Sequence, residues 1–165
     1  MATIKKITAN LWFDKQAEEA AKFYTSVFKN SKLGRITRYG KEGFDQHGMP
    51  EGTVMITEFW LAEQGFVALN GGPHFKFSEA ISFIVNCETQ EEVNYFWEKL
   101  SEGGDEKAQM CGWLKDKFGL SWQIVPTVLT DMISDADPEK AGNVMKALLQ
   151  MKKLDIPTLE KAYGK

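Results

Sequence analysis

Glu58 is the acidic residue whose position most suggests chemistry, because it interrupts the largely apolar run from Val54 to Trp60. A carboxyl group that loses water inside such a strand has a raised pKa and can act as a general base. The alternative is a solvated outer face or a salt bridge, since most acidic side chains in strands are exposed. Glu58 is therefore a candidate catalytic base.

His74 is the second candidate base and lies in the segment NGGPHFKF, residues 70–77. The glycines permit backbone geometry that other residues avoid, and the phenylalanines could anchor the segment over a cleft. An imidazole exchanges protons near neutral pH, as a general base must. A histidine that only packs on a surface loop is the competing interpretation. The other histidine, His47, lies in a long polar loop, for which we predict mobility and no functional role.

Alternation of apolar and polar residues predicts the elements that position these groups. Residues 7–13 alternate as a half-buried strand does, and Asp14 is expected to cap the helix that follows. Apolar residues from Ala17 to Phe28 recur at spacings of three and four, which places one stripe of that helix against the strand. Three further strands are expected, at residues 33–39, 53–62 and 66–70.

The same order of elements begins again with a predicted strand at residues 80–86. A helix is expected over residues 89–103, opened by Thr89 and Glu92 at the spacing of a capping box and closed by Gly103-Gly104. Three short strands then follow, at residues 107–109, 111–118 and 120–126. The heptapeptide EEAAKFY of the first helix aligns with EEVNYFW of the second, which indicates an internal repeat.

The chain turns helical after Pro126. Asp137 and Pro138 form a cap and first-turn pair, and apolar residues continue at helical spacing to Met151 or Lys152. A shorter helix is expected over residues 156–163. We expect these helices to cover a sheet or a neighbouring subunit.

Composition limits the class of protein. A length of 165 residues suits one domain, and 43% hydrophobic with 26% charged residues is typical of globular chains. Because the net charge is -3 and no basic face is clustered, we predict no nucleic-acid partner. No stretch is apolar enough for a signal peptide or a membrane span, which predicts a cytoplasmic location. Cys87 and Cys111 are read as buried thiols.

Three segments carry a resemblance to the PhnB-like branch of the vicinal oxygen chelate superfamily, which includes glyoxalases, bleomycin-resistance proteins and dioxygenases. They read ANLWFDKQAEEAAKFYTSVF, FVALNGGPHFKFSEAISFIVNCETQEEVNYFWEKLSEGG and GWLKDKFGLSWQIVP, and the resemblance runs from about Ile4 to the final helix. It implies an α+β fold in which two βαβββ modules, about 1–72 and 78–126, form a cupped mixed sheet within one domain, with C-terminal helices at about 127–163. It also implies a small-molecule site inside the cup and a homodimer.

The resemblance directs attention to side chains on the inner face of the cup. Gln123 stands where metal-binding relatives carry a ligating glutamate, and strand alternation places Asn10, Trp12 and Ser82 on the same face. We expect ligand contacts from these residues and their neighbours: Asn10, Trp12, Glu58, Trp60, Asn70, Ser82, Trp122 and Gln123. Because amides and hydroxyls bind divalent cations weakly, we predict neither a metal nor a cofactor. The tryptophans at 12, 60, 113 and 122 could line an aromatic pocket or fill the core.

Members of this branch are commonly labelled demethylubiquinone methyltransferase-like. S-adenosylmethionine usually binds at a glycine-rich turn after the first strand of a doubly wound sheet, whereas this first strand leads into Asp14-Lys15-Gln16. The residues therefore do not favour a methyltransferase acting on a quinone.

Our preferred hypothesis is a metal-independent protein that binds a small apolar or aromatic molecule. A metal-dependent lyase, isomerase or dioxygenase, with Glu58, His74 or Gln123 as ligands, is the main alternative. A nonenzymatic interaction subunit is a third, suggested by the methionine-containing C-terminal helix. Because one fold can host unrelated reactions, only the site can distinguish them.

Overall fold

The computed structural model describes residues 5–164 of the chain. Ile4, near which the resemblance begins, and the two ends of the predicted domain at residues 1 and 165 lie outside the described residues. The chain separates into two compact units, of which the first ends at Lys76 and the second begins at Phe77. Within residues 5–164, no helix combines the length and apolarity that a membrane crossing requires.

The first unit contains a four-stranded mixed sheet. Its strands are β1 (Ala9–Phe13), β2 (Lys32–Arg38), β3 (Val54–Leu61) and β4 (Gln64–Asn70). They lie in the order β1-β4-β3-β2, with β1 parallel to β4 and the other neighbours antiparallel. The helix α1 (Ala17–Val27) lies within the crossover that the parallel pair requires, and a single turn, α2 (Phe44–His47), interrupts the loop between β2 and β3. Apart from that turn, the order is the predicted βαβββ.

The helix α1 covers one face of this sheet. Its predicted stripe is confirmed, since the buried side chains recur at helical spacing: Ala17, Ala20, Ala21, Tyr24 and Val27. Tyr24 stacks on Phe59 of β3 with ring centroids 6.1 Å apart. The prediction that Asp14 caps α1 is wrong. The helix begins after Gln16, and the side chain of Asn70 accepts a hydrogen bond from the Ala17 amide instead.

The second unit contains a three-stranded mixed sheet formed by β5 (Ser82–Cys87), β6 (Trp113–Lys115) and β7 (Ser121–Pro126). The order is β5-β7-β6, with β5 parallel to β7 and β6 antiparallel to it. The helix α3 (Gln90–Ser101) connects the parallel strands. Thr89 caps it by accepting from the Glu92 amide, as predicted, while the Glu92 carboxylate reaches the Glu88 amide rather than that of Thr89.

The strand predicted at residues 107–109 is wrong, because Glu106–Ala108 form a turn of 3-10 helix. The Asp105 side chain accepts from the Lys107 amide at 2.9 Å, and the Ala108 amide donates to the Asp105 carbonyl at 3.0 Å. These amide groups are therefore bonded locally and do not pair with a strand. The strand predicted over 111–118 is shortened to Trp113–Lys115.

Three helices end the chain: α4 (Thr127–Ile133), α5 (Pro138–Leu148) and α6 (Ile156–Tyr163). Asp137 caps α5 by accepting from the Glu139 amide, as predicted. The helices enclose a small core of Leu129, Met132, Val144, Leu154 and Leu159. A mixed sheet with helices in each unit, together with the C-terminal helices, confirms the predicted α+β class.

The segment between α5 and α6 is bonded to the rest of the second unit. The amides of Cys111 and Gly112 each donate to it at 2.8 Å, to the carbonyls of Met151 and Lys152. The Gln90 side chain donates to the Leu154 carbonyl and accepts from the Ile156 amide. The predicted continuation of α5 to Met151 or Lys152 is therefore wrong, because these residues leave the helix to form those contacts.

Candidate functional site

The face of the first sheet opposite α1 brings together several of the predicted site residues. Residues of β3 and β4 that point towards α1, such as Phe59 and Ala68, are fully buried. Residues that alternate with them point to the opposite side and are half-buried or exposed. We call this side of the sheet the open face of the first unit.

A polar pair flanks an apolar residue on this open face. Asn10 of β1 lies beside Val67 of β4, and Val67 lies beside Glu58 of β3. The three side chains therefore form one row across the sheet, with the Cα atoms of Asn10 and Glu58 roughly 10 Å apart, two strand spacings. Asn10 is exposed and Glu58 is half-buried. The row presents a neutral amide, an apolar centre and a carboxylate.

Trp60 lies at one end of this face, against the edge strand β2. A Cβ atom on Gly34 would be 2.4 Å from Cζ3 of the indole, so only glycine allows the ring to lie against β2 in this way. The Lys32 ammonium is 4.9 Å from the centre of the Trp60 ring, within the range of a cation–π contact. Lys32 was not among the predicted site residues, although its register opposite Trp60 follows from the strand pairing.

Trp12 lies at the other end, in the row formed with Leu69 and Ile56. Its indole N–H donates to the Gly72 carbonyl at 2.9 Å, and its ring meets Phe75 edge-on at 4.9 Å. A Cβ atom on Gly71 would be 2.1 Å from the ring, so the loop crosses the indole at a glycine. The segment after β4 therefore packs on Trp12.

Two other predicted residues of the first unit do not lie on the open face. Asn70 faces α1 and is 3% exposed, with Oδ1 accepting from the Ala17 amide and Nδ2 donating to the Val54 carbonyl. Both ends of its amide are thus bonded to the main chain, which is a structural role. His74 lies on the exposed loop beyond Gly72. Glu58 pairs with Val67 in the strand register, so neither Asn70 nor His74 is its cross-strand neighbour.

In the second unit, Ser82 and Gln123 come together on the face of the sheet opposite α3. Gln123 Nε2 donates to Ser82 Oγ at 2.9 Å between neighbouring strands. Trp113 of β6 lies beside Gln123 on the same face. Ser121 also shares this face, and its hydroxyl is buried with no hydrogen-bond partner among the described residues. Sequence reasoning missed Trp113 and Ser121 as neighbours of Gln123, although strand alternation could have found both.

Trp122 points to the opposite side of this sheet from Gln123. It is 3% exposed, its ring lies 5.7 Å from that of Phe83, and its indole donates to the buried carboxylate of Asp116 at 2.9 Å. The same carboxylate accepts from the amides of Phe118 and Leu120. Adjacent residues of one strand cannot share a face, so Trp122 belongs to the core and not beside Gln123.

The donor set does not suit a divalent cation. Among the described residues there is no group of three His, Cys, Asp or Glu side chains that could hold a metal ion. Gln123 is a neutral amide that is already bonded to a hydroxyl. Hard cations select carboxylates, and borderline ones select imidazole or thiolate.

The sequence and the fold both match known proteins. Residues 5–125 match the family model described as 3-demethylubiquinone-9 3-methyltransferase. The PhnB protein from Bacillus cereus is 37% identical, and the similarity covers 74% of this chain and all of that one with a TM-score of 0.63. Searching the curated proteins finds no match.

Two more distant structures share the fold alone. Protein PA1353 from Pseudomonas aeruginosa is 19% identical over 74% of this chain and 98% of that one, with a TM-score of 0.57. The fosfomycin resistance protein FosX from Mesorhizobium loti is 11% identical over 81% of this chain and all of that one, with a TM-score of 0.53. The family match ends at residue 125, before the three C-terminal helices.

Proposed function

The chain belongs to the family described as 3-demethylubiquinone-9 3-methyltransferase, in the PhnB-like branch of the vicinal oxygen chelate superfamily, and we propose that it binds a small apolar or aromatic molecule without a metal ion. The observation that carries the proposal is the row of Asn10, Val67 and Glu58, with Trp12 at one end of the face and Trp60 at the other. Binding sites for small molecules typically combine apolar walls with a few polar groups that orient the ligand.

The open face of the first unit favours a ligand with a flat apolar body and a hydrogen-bond donor. Ile56, Val67 and Leu69 supply a half-buried apolar surface, and aromatic rings bind flat molecules well. The Glu58 carboxylate accepts hydrogen bonds, whereas the Asn10 amide can both donate and accept. A hydroxylated or amino-substituted aromatic compound therefore matches the chemistry of this face.

Metal independence is supported by the second unit. The Ser82–Gln123 pair provides two neutral groups that are bonded to each other, and neither is a preferred ligand of a divalent cation. We propose that this pair offers hydrogen bonds to a polar ligand group. Metal analysis of protein purified without chelators tests this directly. We expect less than about 0.1 equivalent of any divalent metal, and a stoichiometric metal that is lost in Glu58→Gln or Gln123→Ala would favour the metal-dependent lyase, isomerase or dioxygenase.

A methyltransferase activity is not favoured by the geometry after β1. Cofactors with anionic groups often bind at the free N-terminus of the helix that follows the first strand. Here the first amide of α1, that of Ala17, is occupied by Asn70 Oδ1 at 2.8 Å. This bond, together with the lack of a glycine-rich turn in Asp14-Lys15-Gln16, supports our proposal that the methyltransferase activity in the family description is not that of this chain.

Tryptophan fluorescence tests the ligand-binding proposal, because Trp12 and Trp60 border the face. A panel of flat hydroxylated and amino-substituted aromatic compounds should contain at least one that changes the emission saturably. Trp60→Phe should weaken that binding by about tenfold or more, as truncating an aromatic anchor usually does. Trp97→Phe, on α3, is the matched control and should leave the affinity unchanged. A panel without any saturable response, or equal affinities in both variants, would count against the proposal.

We further propose that the protein acts as a homodimer in the cytoplasm. Within the described residues, β1 and β2 form the edges of one sheet, and β5 and β6 the edges of the other. Unpaired edges are commonly covered by another copy of the chain. Light scattering on the eluted protein should give twice the chain mass of 18.7 kDa, and a monomer at micromolar concentration would contradict this.

A further inference from the structure

His47 makes two hydrogen bonds that define its protonation state. Its Nδ1 accepts from the Met49 amide at 2.9 Å, and its Nε2 is 3.1 Å from the Glu42 carbonyl oxygen. A backbone N–H can only donate, so Nδ1 carries no proton in this arrangement. The carbonyl oxygen can only accept, so Nε2 carries the proton. The loop between β2 and β3 is thus closed around a neutral imidazole in one tautomer.

Met49 connects this imidazole to the end of the open face at Trp12. The Met49 side chain is 5% exposed, and its Cε lies 3.7 Å from the position that a Cβ of Gly72 would occupy. The Gly72 carbonyl accepts the hydrogen bond of the Trp12 indole at 2.9 Å. The buried Met49 side chain therefore lies next to the residue that holds Trp12.

A second connection runs through Tyr39. Its ring lies 4.5 Å from the His47 ring, and its hydroxyl donates to the Asn70 carbonyl at 2.6 Å. Asn70 is the last residue of β4 and precedes the glycines that cross Trp12. Both neighbours of the His47 ring thus reach the segment that covers the indole.

We propose that His47 is a pH-sensitive latch that holds the β2–β3 loop against the segment covering Trp12. When His47 takes up a proton from solvent, Nδ1 becomes a donor and faces the Met49 N–H, which is also a donor. The hydrogen bond that fixes Met49 is lost, while the bond from Nε2 to the Glu42 carbonyl can persist. Histidine is the side chain that ordinarily charges between about pH 5 and 8. Acidification over that range opens the latch.

Several titratable or charged groups lie around His47. Glu42 and Asp45 lie in its own loop, the Tyr39 ring just after β2 packs on the imidazole, and His74 lies next to Gly72. His47 and His74 are the two histidines of the chain, so a response between pH 5.5 and 8 can be assigned by replacing each in turn.

Nuclear magnetic resonance of the full-length protein tests the latch without any ligand. At pH 8, long-range proton–nitrogen spectra should show the tautomer of His47 with its proton on Nε2. Between pH 8 and 5.5, the protection factor of the Met49 amide against hydrogen exchange should fall about tenfold, the equivalent of one lost hydrogen bond. The indole N–H resonance of Trp12 should shift with the same midpoint.

Substitution of each histidine provides the control. His74→Gln should keep both responses, whereas His47→Gln should abolish them. A Met49 protection factor that does not change with pH, or a change that persists in His47→Gln, would overturn the latch. If His47→Gln disrupts the loop, the tautomer of His47 in the wild-type protein still tests the latch. A proton on Nδ1 at pH 8 would contradict the proposal. Since no ligand is used, failure of the latch and failure of the proposed binding are independent results.

Discussion

Asn70 Oδ1 accepts a hydrogen bond from the amide of Ala17, 53 positions earlier in the chain, at 2.8 Å. The same side chain donates to the Val54 carbonyl at 3.0 Å, so one amide joins the start of α1 to the start of β3. These bonds explain why a polar residue is buried at the end of β4.

Asn70→Ala should therefore destabilise the protein. The Ala17 amide and the Val54 carbonyl would lose their hydrogen-bond partner. This loss typically lowers the free energy of unfolding by about 2–4 kcal/mol. Urea unfolding measures the change. Asn86→Ala, at an exposed position of β5, is the matched control and should change the free energy by less than about 0.5 kcal/mol. Equal midpoints for the two variants would show that the Asn70 bonds contribute little.

Thr57→Val should stabilise the protein. The Thr57 hydroxyl is fully buried and has no hydrogen-bond partner among the described residues. Replacing it with a methyl group of similar size removes an unsatisfied polar atom, a gain of about 1 kcal/mol. Thr158→Val is the contrasting variant, since its hydroxyl donates to Asp155, and it should lower the thermal midpoint. A lower midpoint for Thr57→Val would imply that an ordered water bonds the hydroxyl.

The hairpin between β3 and β4 should be improved by Ala62→Asn with Glu63→Gly. Both turn residues have positive φ, 43° for Ala62 and 71° for Glu63, which ordinary side chains disfavour. Asn-Gly is the sequence best suited to such a two-residue turn. We expect a gain of about 1 kcal/mol in the free energy of unfolding, from chemical denaturation. Glu51→Gly is the control, because Glu51 does not have a positive φ, and this substitution should not stabilise the protein.

Cys87 and Cys111 should differ in reactivity. Burial, with a smaller contribution from Glu92, raises the pKa of the Cys87 thiol to about 12, whereas the Cys111 side chain is half-buried. Only thiolates react rapidly with iodoacetamide. At pH 8 mass spectrometry should find one alkylated cysteine, Cys111, and a second only after unfolding. Rapid alkylation of Cys87 in the folded protein would contradict its burial.

The raised thiol pKa also has a consequence for stability. In the unfolded chain Cys87 ionises near its ordinary pKa of 9.0, while the folded protein keeps it neutral until about pH 12. Its contribution to stability is therefore present below pH 9 and is lost as the pH rises towards 12. Cys87→Ala should show a shallower loss of stability over that range than the wild-type chain.

Deleting the residues after Asp137 should destabilise the second unit. The deletion removes Val144, Leu154 and Leu159 from their core and leaves the amides of Cys111 and Gly112 without acceptors. We expect the free energy of unfolding to fall by more than about 3 kcal/mol. Leu149→Ala, at a 59% exposed position, is the control and should have little effect. A truncated chain of unchanged stability that no longer self-associates would instead favour the interaction-subunit hypothesis.

The local pattern of the sequence predicted the elements and the sides of the strands. Alternation placed Asn10 and Trp12 on one face, and the apolar stripe of α1 is the buried one, because side-chain direction repeats with the backbone period. The caps at Thr89 and Asp137 were also predictable, since donor and acceptor are within three residues of each other.

The tertiary structure decided the contacts that no local pattern of residues indicates. No local signal indicates that Asn70 would bond Ala17, that Trp122 would bond Asp116 in the core, or that Met151 and Lys152 would leave α5 to accept from Cys111 and Gly112. A buried polar group is satisfied by whichever partner the fold brings within about 3 Å, and that partner depends on strand order and register. The sequence therefore indicates which polar groups need hydrogen-bond partners. Only the folded chain determines which partner each of these groups binds.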